Sequence, residues 1–125
     1  MTNKQSIAYI DDEDINLLVF SMLFKNDFKV HTFNSAKEAL SFLFENSVDL
    51  VLTDQSMPEM LGSQFLEKYS ETVPDNRSKT AIVSGFHQNA EISESLEKSF
   101  ADEFFPKPWE YDTLVIKLKE LLGES

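Results

Sequence analysis

The chain has 125 residues, 42% of them hydrophobic, enough for one domain with a sizeable core (residues 1–125) and too few for two. Its net charge is −11 and its pI near 4.5, so its surface repels nucleic-acid phosphates and anionic membrane, and a protein partner is expected. There is no cysteine, no stretch near the ~18 apolar residues of a membrane span, and no apolar run behind Met1 of the kind a signal peptide needs; a reducing, cytoplasmic setting is expected.

The run 6–10 is short, apolar and ends in acids, which predicts a buried strand, β1. From Ile15 the positions Ile15, Leu18, Val19, Met22 and Leu23 recur at helical spacing and predict α1 with that stripe as its apolar face. Residues 28–33 alternate and predict β2 toward a sheet edge. Ser35-Ala-Lys-Glu38 reads as a capping box that starts α2, with Ala36, Ala39, Leu40 and Leu43 inward. The continuous run 49–53 predicts β3, buried on both faces and followed directly by Asp54.

Gly62 and Ser63 open α3, with Phe65, Leu66 and Tyr69 facing in. The polar stretch 72–79 is a loop, 80–84 a second buried strand, β4. Residues 91–100 predict α4, weakly amphipathic through Ile92, Leu96 and Phe100, and the least firmly anchored helix. A short β5 at 103–105 precedes α5, whose inner face is Tyr111, Leu114, Val115, Leu118, Leu121 and Leu122. Five alternations predict an α/β fold: one doubly wound (βα)5 domain with a five-stranded parallel sheet and helices on both faces.

Ligands of such sheets bind beyond the carboxyl ends of the strands. Here β1 ends in Asp11 and Asp12, β3 in Asp54 and β4 in Ser84, and Lys107 follows β5. Asp11 to Asp14 are four acids in succession; two unit charges ~4 Å apart repel by roughly 4 kcal/mol at an effective dielectric near 20. A cation offsets that repulsion. Carboxylates, water and a backbone carbonyl are hard oxygen ligands that suit Mg²⁺, or another divalent ion such as Mn²⁺. A carboxylate is also a nucleophile toward phosphorus, and the Lys107 ammonium and Ser84 hydroxyl can donate to phosphoryl oxygens. Gly85 has no side chain to block the approach.

With the acidic pair in "IDDE", Asp54 in "VLTDQSMPEMLG", Ser84 in "AIVSG" and Lys107 in "FFPKPW", the chain resembles a response-regulator receiver domain from Ile7 to about Leu122. The resemblance implies the flavodoxin-like strand order 2-1-3-4-5. It implies that Asp54 accepts a phosphoryl group from a histidine kinase or histidine phosphotransfer protein. Asp12 ligates Mg²⁺ directly, Asp11 largely through water, and the backbone carbonyl of Ser56 adds a ligand. Ser84 and Lys107 bind the phosphoryl group; Ser84 and Phe104 form the switch, Phe104 as its aromatic. The Lys107–Pro108 bond is expected to be cis. The output surface is expected on α4, β5 and α5, toward a downstream protein, an effector domain or a phosphorylation-dependent homodimer. The chain departs from the commoner family pattern at Leu61, at Ser84 in place of Thr and at Phe104 in place of Tyr. It is expected to assist its own modification and to turn over no separate metabolite. Phe86 and Ser56 offer no general base, so slow self-dephosphorylation is expected.

Each residue alone has a blander reading. An Asp-Asp pair after a strand commonly caps a turn, Asp54 could cap the turn before Pro58, and Lys107 could be a surface lysine. Glu13 and Asp14 read as first-turn acids that favour the helix dipole. His31 and His87 have no further His or Cys to complete a transition-metal site, and Trp109 and Tyr111 read as packing. Two rival classes fit less well. A haloacid-dehalogenase-like phosphatase wants a second Asp two residues after its nucleophile, where Ser56 stands. A flavodoxin-like electron carrier wants a Ser/Thr/Gly-rich loop after β1, where this chain has acids.

Overall fold

The computed structural model describes residues 4–85, 89–108 and 110–123. Phe86, His87 and Trp109, named above, lie outside them, as do residues 1–3. Strands β1 (Ser6–Ile10), β2 (Lys29–Phe33), β3 (Leu50–Asp54), β4 (Lys79–Ser84) and β5 (Glu103–Pro106) alternate with α1 (Asp14–Phe24), α2 (Ala36–Glu45), α3 (Gly62–Thr72), α4 (Ala90–Glu97) and α5 (Tyr111–Leu121). The five strands form one parallel sheet in the order β2-β1-β3-β4-β5. Central β3 is buried along its whole length, whereas β2 and β5 at the edges are only partly covered. Continuous apolar runs belong at the centre of a parallel sheet, alternating ones at its rim.

Successive side chains leave a strand on opposite faces, so each strand feeds two cores. Ile7, Tyr9, Leu50, Leu52, Ala81 and Val83 pack beneath α1 and α5. Ala8, Ile10, Val51 and Ile82 pack beneath α2, α3 and α4. Ser35 caps α2 as expected, its hydroxyl accepting from the Glu38 N–H at 3.3 Å. Among the described residues no helix is long and apolar enough to cross a membrane.

Two elements differ from expectation. The predicted inner stripe of α1 faces outward: Ile15 is 61%, Leu18 56% and Met22 63% exposed, and Val19 and Leu23 are exposed too. The buried face is Leu17, Phe20 and Phe24. Nearly every position of α1 is apolar, so periodicity offers two stripes, and the aromatic one has more area to bury. The ring of Phe20 lies 4.4 Å from that of Tyr9 and 4.7 Å from Phe24, which continues to Tyr111 at 5.5 Å.

Helix α4 is also shorter than expected, ending at Glu97 rather than Phe100. Ser99 takes a left-handed φ of 64°, and the N–H groups of Phe100 and Ala101 both return to the Ser95 carbonyl at 2.9 and 3.1 Å. A left-handed residue with a six-to-one bond is a helix stop, here built without the usual glycine. Asn89 caps the other end, its side chain accepting from the Ile92 N–H at 3.0 Å.

The α1 correction has a direct consequence. Phe20→Ala should lower the unfolding free energy by about 3–5 kcal/mol, while Met22→Ser should change it by no more than about 0.5 kcal/mol. Urea denaturation of both variants checks this; the reverse order would restore the stripe read from periodicity.

Candidate functional site

Three strand ends meet at the carboxyl edge of the sheet. Asp11 and Asp12 follow β1, Asp54 closes β3, and Lys107 follows β5. Asp11 is fully buried, Asp54 nearly so and Asp12 exposed, and one carboxylate oxygen from each lies within 4.8 Å of the others. The Lys107 ammonium reaches both buried acids, 3.2 Å from Asp54 Oδ1 and 3.4 Å from Asp11 Oδ2. Three acids against one cation leave this cluster negative, and its all-oxygen donor set suits a hard divalent cation.

Each acid of the Asp11–Asp14 run has its own place. The Asp11 backbone N–H continues the ladder to the Phe33 carbonyl at 3.0 Å, which turns its side chain inward. Asp11 Oδ2 accepts from the Tyr9 hydroxyl at 2.7 Å and from Asn16 Nδ2 at 3.2 Å, and Oδ1 accepts from the Glu13 N–H at 3.0 Å. Glu13 is the residue before α1, and Asp14 in the first turn accepts from Asn34 at 3.1 Å. So Asp11 and Asp12 join the cluster with Asp54, while Glu13 starts α1 through its backbone carbonyl and Asp14 ties α1 to Asn34.

Electrostatics follow from burial. Burial pushes the Asp54 carboxyl above the usual carboxylate range; Lys107 pulls it back, and Asp11 and Asp12 push it further up. Burial, with the bond to Asp11, likewise raises the Tyr9 hydroxyl, so Tyr9 stays a proton donor to that carboxylate.

The segment after Asp54 is pinned over the site. The Gln55 N–H bonds the Val83 carbonyl at 3.0 Å, and Gly62 N–H bonds the Gln55 carbonyl at 3.0 Å. The Gln55 side chain clamps Ser63 through the Ser63 N–H at 2.8 Å and its hydroxyl at 3.1 Å. A Cβ at Gly62 would sit 2.3 Å from the Asp54 carbonyl oxygen, so only glycine lets α3 begin this close to the end of β3. A Cβ at Gly85 would meet none of the described residues within 4 Å.

Ser84 is buried at the end of β4, and its carbonyl accepts from the Lys107 N–H at 2.8 Å. That bond ties the lysine's backbone to the strand beside Asp54. The Lys107–Pro108 bond is cis, as expected. Ser56 is exposed two residues after Asp54. Phe104 pairs with Ile82 in register and packs, half-buried, against the core under α4. Tyr9, Asn16 and Gln55 escaped sequence reasoning: Tyr9 and Asn16 carry no motif, and the Gln55 side chain finds Ser63 only once the loop is closed; Gly62 was read as the start of α3, without its close approach to Asp54.

Comparison with known proteins agrees with this geometry. The family described as the response regulator receiver domain matches residues 7–119. The chain is 30% identical over 120 residues to the hydrogenase transcriptional regulatory protein HoxA of Bradyrhizobium diazoefficiens, covering 96% of this chain and 24% of that protein. It thus spans about a quarter of the length of that relative. It is 33% identical over 104 residues to the two-component response regulator ORR5 of Oryza sativa subsp. japonica, covering 82% of this chain and 77% of that one. A CheY-like receiver domain protein from Methanospirillum hungatei JF-1 superposes with a TM-score of 0.85 at 26% identity, covering 96% and 94% of the two chains.

The raised Asp54 carboxyl makes a prediction for the protein in chelator. A pKa raised on folding contributes stability that is full below the ordinary value near 3.9 and is lost as pH rises through the folded value. At neutral pH the ionised Asp54 is therefore a burden on the fold. Asp54→Asn should melt higher than wild type at pH 7, by roughly 3–6 °C for each kcal/mol relieved, and the gap should narrow toward pH 4. A lower melting point for the variant at pH 7 would mean that pairing with Lys107 outweighs burial.

Proposed function

The chain belongs to the response-regulator receiver family, and from that premise we propose that it is the phospho-accepting switch of a two-component signalling system, with Asp54 as the acceptor. One observation carries the reading: a nearly buried Asp54 carboxylate 3.2 Å from the Lys107 ammonium, with Asp11 and Asp12 beside it. An Asp54 carboxylate oxygen attacks the phosphorus of an N-phosphoimidazole on a histidine kinase or phosphotransfer protein. The P–O bond forms as the P–N bond breaks, the electron pair returns to the ring nitrogen, and the product is an acyl phosphate. Lys107 offsets the charge carried by the transferring oxygens, and the Ser84 hydroxyl donates to one of them. Asp11, Asp12, Asp54 and the Ser56 carbonyl would hold Mg²⁺ or Mn²⁺. When bound, that ion neutralises carboxylate and phosphoryl oxygens. The protein itself would turn over no separate metabolite, and the reading sets the exchange in the cytoplasm.

A protein donor fits the surface around the acceptor. The outward face of α1 exposes Ile15, Leu18, Val19 and Met22, and α1 starts two residues after Asp12. Exposed apolar residues gathered on one helix favour a protein contact, and here they border the acidic cluster. On the other flank, α4 is short and buries only Ile92 and Ser95, and Phe104 is half-buried beside it. Phosphorylation would draw Ser84 toward the phosphoryl group and let Phe104 turn inward. That would shift the α4-β5-α5 surface toward an effector or a second copy.

Acetyl phosphate with Mg²⁺, followed by intact mass, tests the acceptor. Wild type should gain one phosphoryl group, Asp54→Asn none, and Lys107→Ala should gain it about tenfold more slowly, ~1.4 kcal/mol of barrier. An adduct on Asp54→Asn would move the acceptor elsewhere. Millimolar Mg²⁺ should raise the melting point of wild type, and Asp12→Ala should shrink that shift; an equal shift would remove Asp12 from the metal site.

A further inference from the structure

A groove of about 880 Å³ runs along the outer edge of β2, toward the amino ends of the strands. Phe28 and Val30 line it from the core under α1, and His31 and Phe42, their rings 4.9 Å apart, line it from the α2 side. Residues from both faces of the sheet border it, so the β2 backbone lies between them. Lys4, Lys25 and Lys29 stand around it, and among the described residues no carboxylate lines it. That is a local inversion on a chain with 22 acids against 11 basic residues. None of the three lysines forms an ion pair with a described residue; the Lys4 ammonium instead donates to the Lys25 carbonyl at 3.1 Å. The backbone supplies an independent observation. The Lys29 N–H bonds the Gln5 carbonyl at 2.9 Å, and the Phe33 carbonyl accepts from the Asp11 N–H at 3.0 Å. Bonding alternates from side to side along a strand, so Lys29, His31 and Phe33 face β1. The N–H and carbonyl groups of Val30 and Thr32 point to the open edge, where no described strand meets them.

We propose that this edge takes an extended acidic segment of a partner protein, added to the sheet as a strand beside β2. The main-chain groups of Val30 and Thr32 supply the pairing, and the side chains along the groove supply the selection. Lys29 and His31 share one face of β2 and Val30 takes the other, so a segment that alternates acidic and apolar side chains matches both. The acids of the rest of the chain are screened beyond about 8 Å at physiological ionic strength, which leaves the lysines to govern what enters. A second copy of the chain fits less well. Its own β2 edge, Lys29 to Phe33, holds no carboxylate, and two chains of net charge −11 repel. The groove lies at the opposite end of the strands from the acidic cluster, and the inference holds whether or not Asp54 is phosphorylated.

Amide NMR with hydrogen exchange on the whole chain tests it, using acetyl-Glu-Val-Glu-Val-Glu amide beside its glutamine counterpart and inorganic phosphate. The acidic peptide should give saturating shifts confined to residues 4–6, 21–33 and 42–47. At saturation it should slow exchange of the Val30 and Thr32 N–H groups by about tenfold or more, because a new strand covers them. The glutamine peptide should bind at least about fivefold more weakly, and phosphate should protect neither amide. Lys25→Gln with Lys29→Gln, both at exposed positions, should weaken the acidic peptide about fivefold and leave the melting point nearly unchanged. Shifts without protection of Val30 and Thr32, equal binding of the glutamine peptide, or an unchanged affinity in the double variant would each overturn the proposal. So would slow exchange at both amides in the free chain, which means an edge already paired, or protection that grows with protein concentration alone, which gives the edge to a second copy.

Discussion

Everything at the functional end of this molecule depends on holding three carboxylates together with a single ammonium between them. Asp11 and Asp54 are withdrawn from solvent and share Lys107, while Asp12 stands at the rim. Burying like charges is unfavourable by several kcal/mol when they are unpaired; here both buried acids share Lys107, and Asp11 is further tied by donors outside the cluster. Asp11 has three donors from Tyr9, Asn16 and the Glu13 backbone. Asp54 sits on the most buried strand of the sheet. The residual negative charge makes the cluster receptive to a divalent cation, and burial, helped by Asp11 and Asp12, keeps the Asp54 carboxyl raised against the pull of Lys107.

The fold explains how so much charge is tolerated. The sheet brings the carboxyl ends of β1 and β3 side by side, and the bond from Lys107 N–H to the Ser84 carbonyl sets the lysine against β4. Below the cluster, the Tyr9 hydroxyl meets Asp11 while the Tyr9 ring begins an aromatic column through Phe20 and Phe24 to Tyr111. That column anchors α1 and α5 to the sheet. The same residue therefore closes the acidic site from beneath and opens the main core. The α3 side is fixed by sterics instead: Gly62 lets the helix start against the Asp54 carbonyl, and the Gln55 side chain locks Ser63. On the α4 side, a short helix buries Ile92 and Ser95 and ends in the left-handed Ser99 stop.

Much of this was legible in the order of residues. Continuous apolar runs marked the central strands, each ending in a reactive side chain, and the strand-end rule gathered Asp11, Asp12, Asp54, Ser84 and Lys107 before any coordinates. The inner face of α1 was not legible, because a helix apolar on nearly all sides has no unique moment and only the fit of rings in the core decides. The end of α4 was missed because a serine, not a glycine, adopts the left-handed stop. Tyr9 and Gln55 were missed because their roles are hydrogen bonds between segments whose approach the pattern does not encode. Gly62 was read as a helix start; its close approach to Asp54 emerges only from packing.

The central claim is that the phosphoryl group is carried as an acyl phosphate on Asp54. Borohydride reduction cleaves a carboxyl-phosphate mixed anhydride and leaves homoserine at the modified aspartate. Phosphorylated protein should therefore show, on peptide mass mapping after reduction, homoserine at position 54 and at no other aspartate. Homoserine at Asp11 or Asp12, or a phosphate that survives reduction on a serine or threonine, would contradict the account.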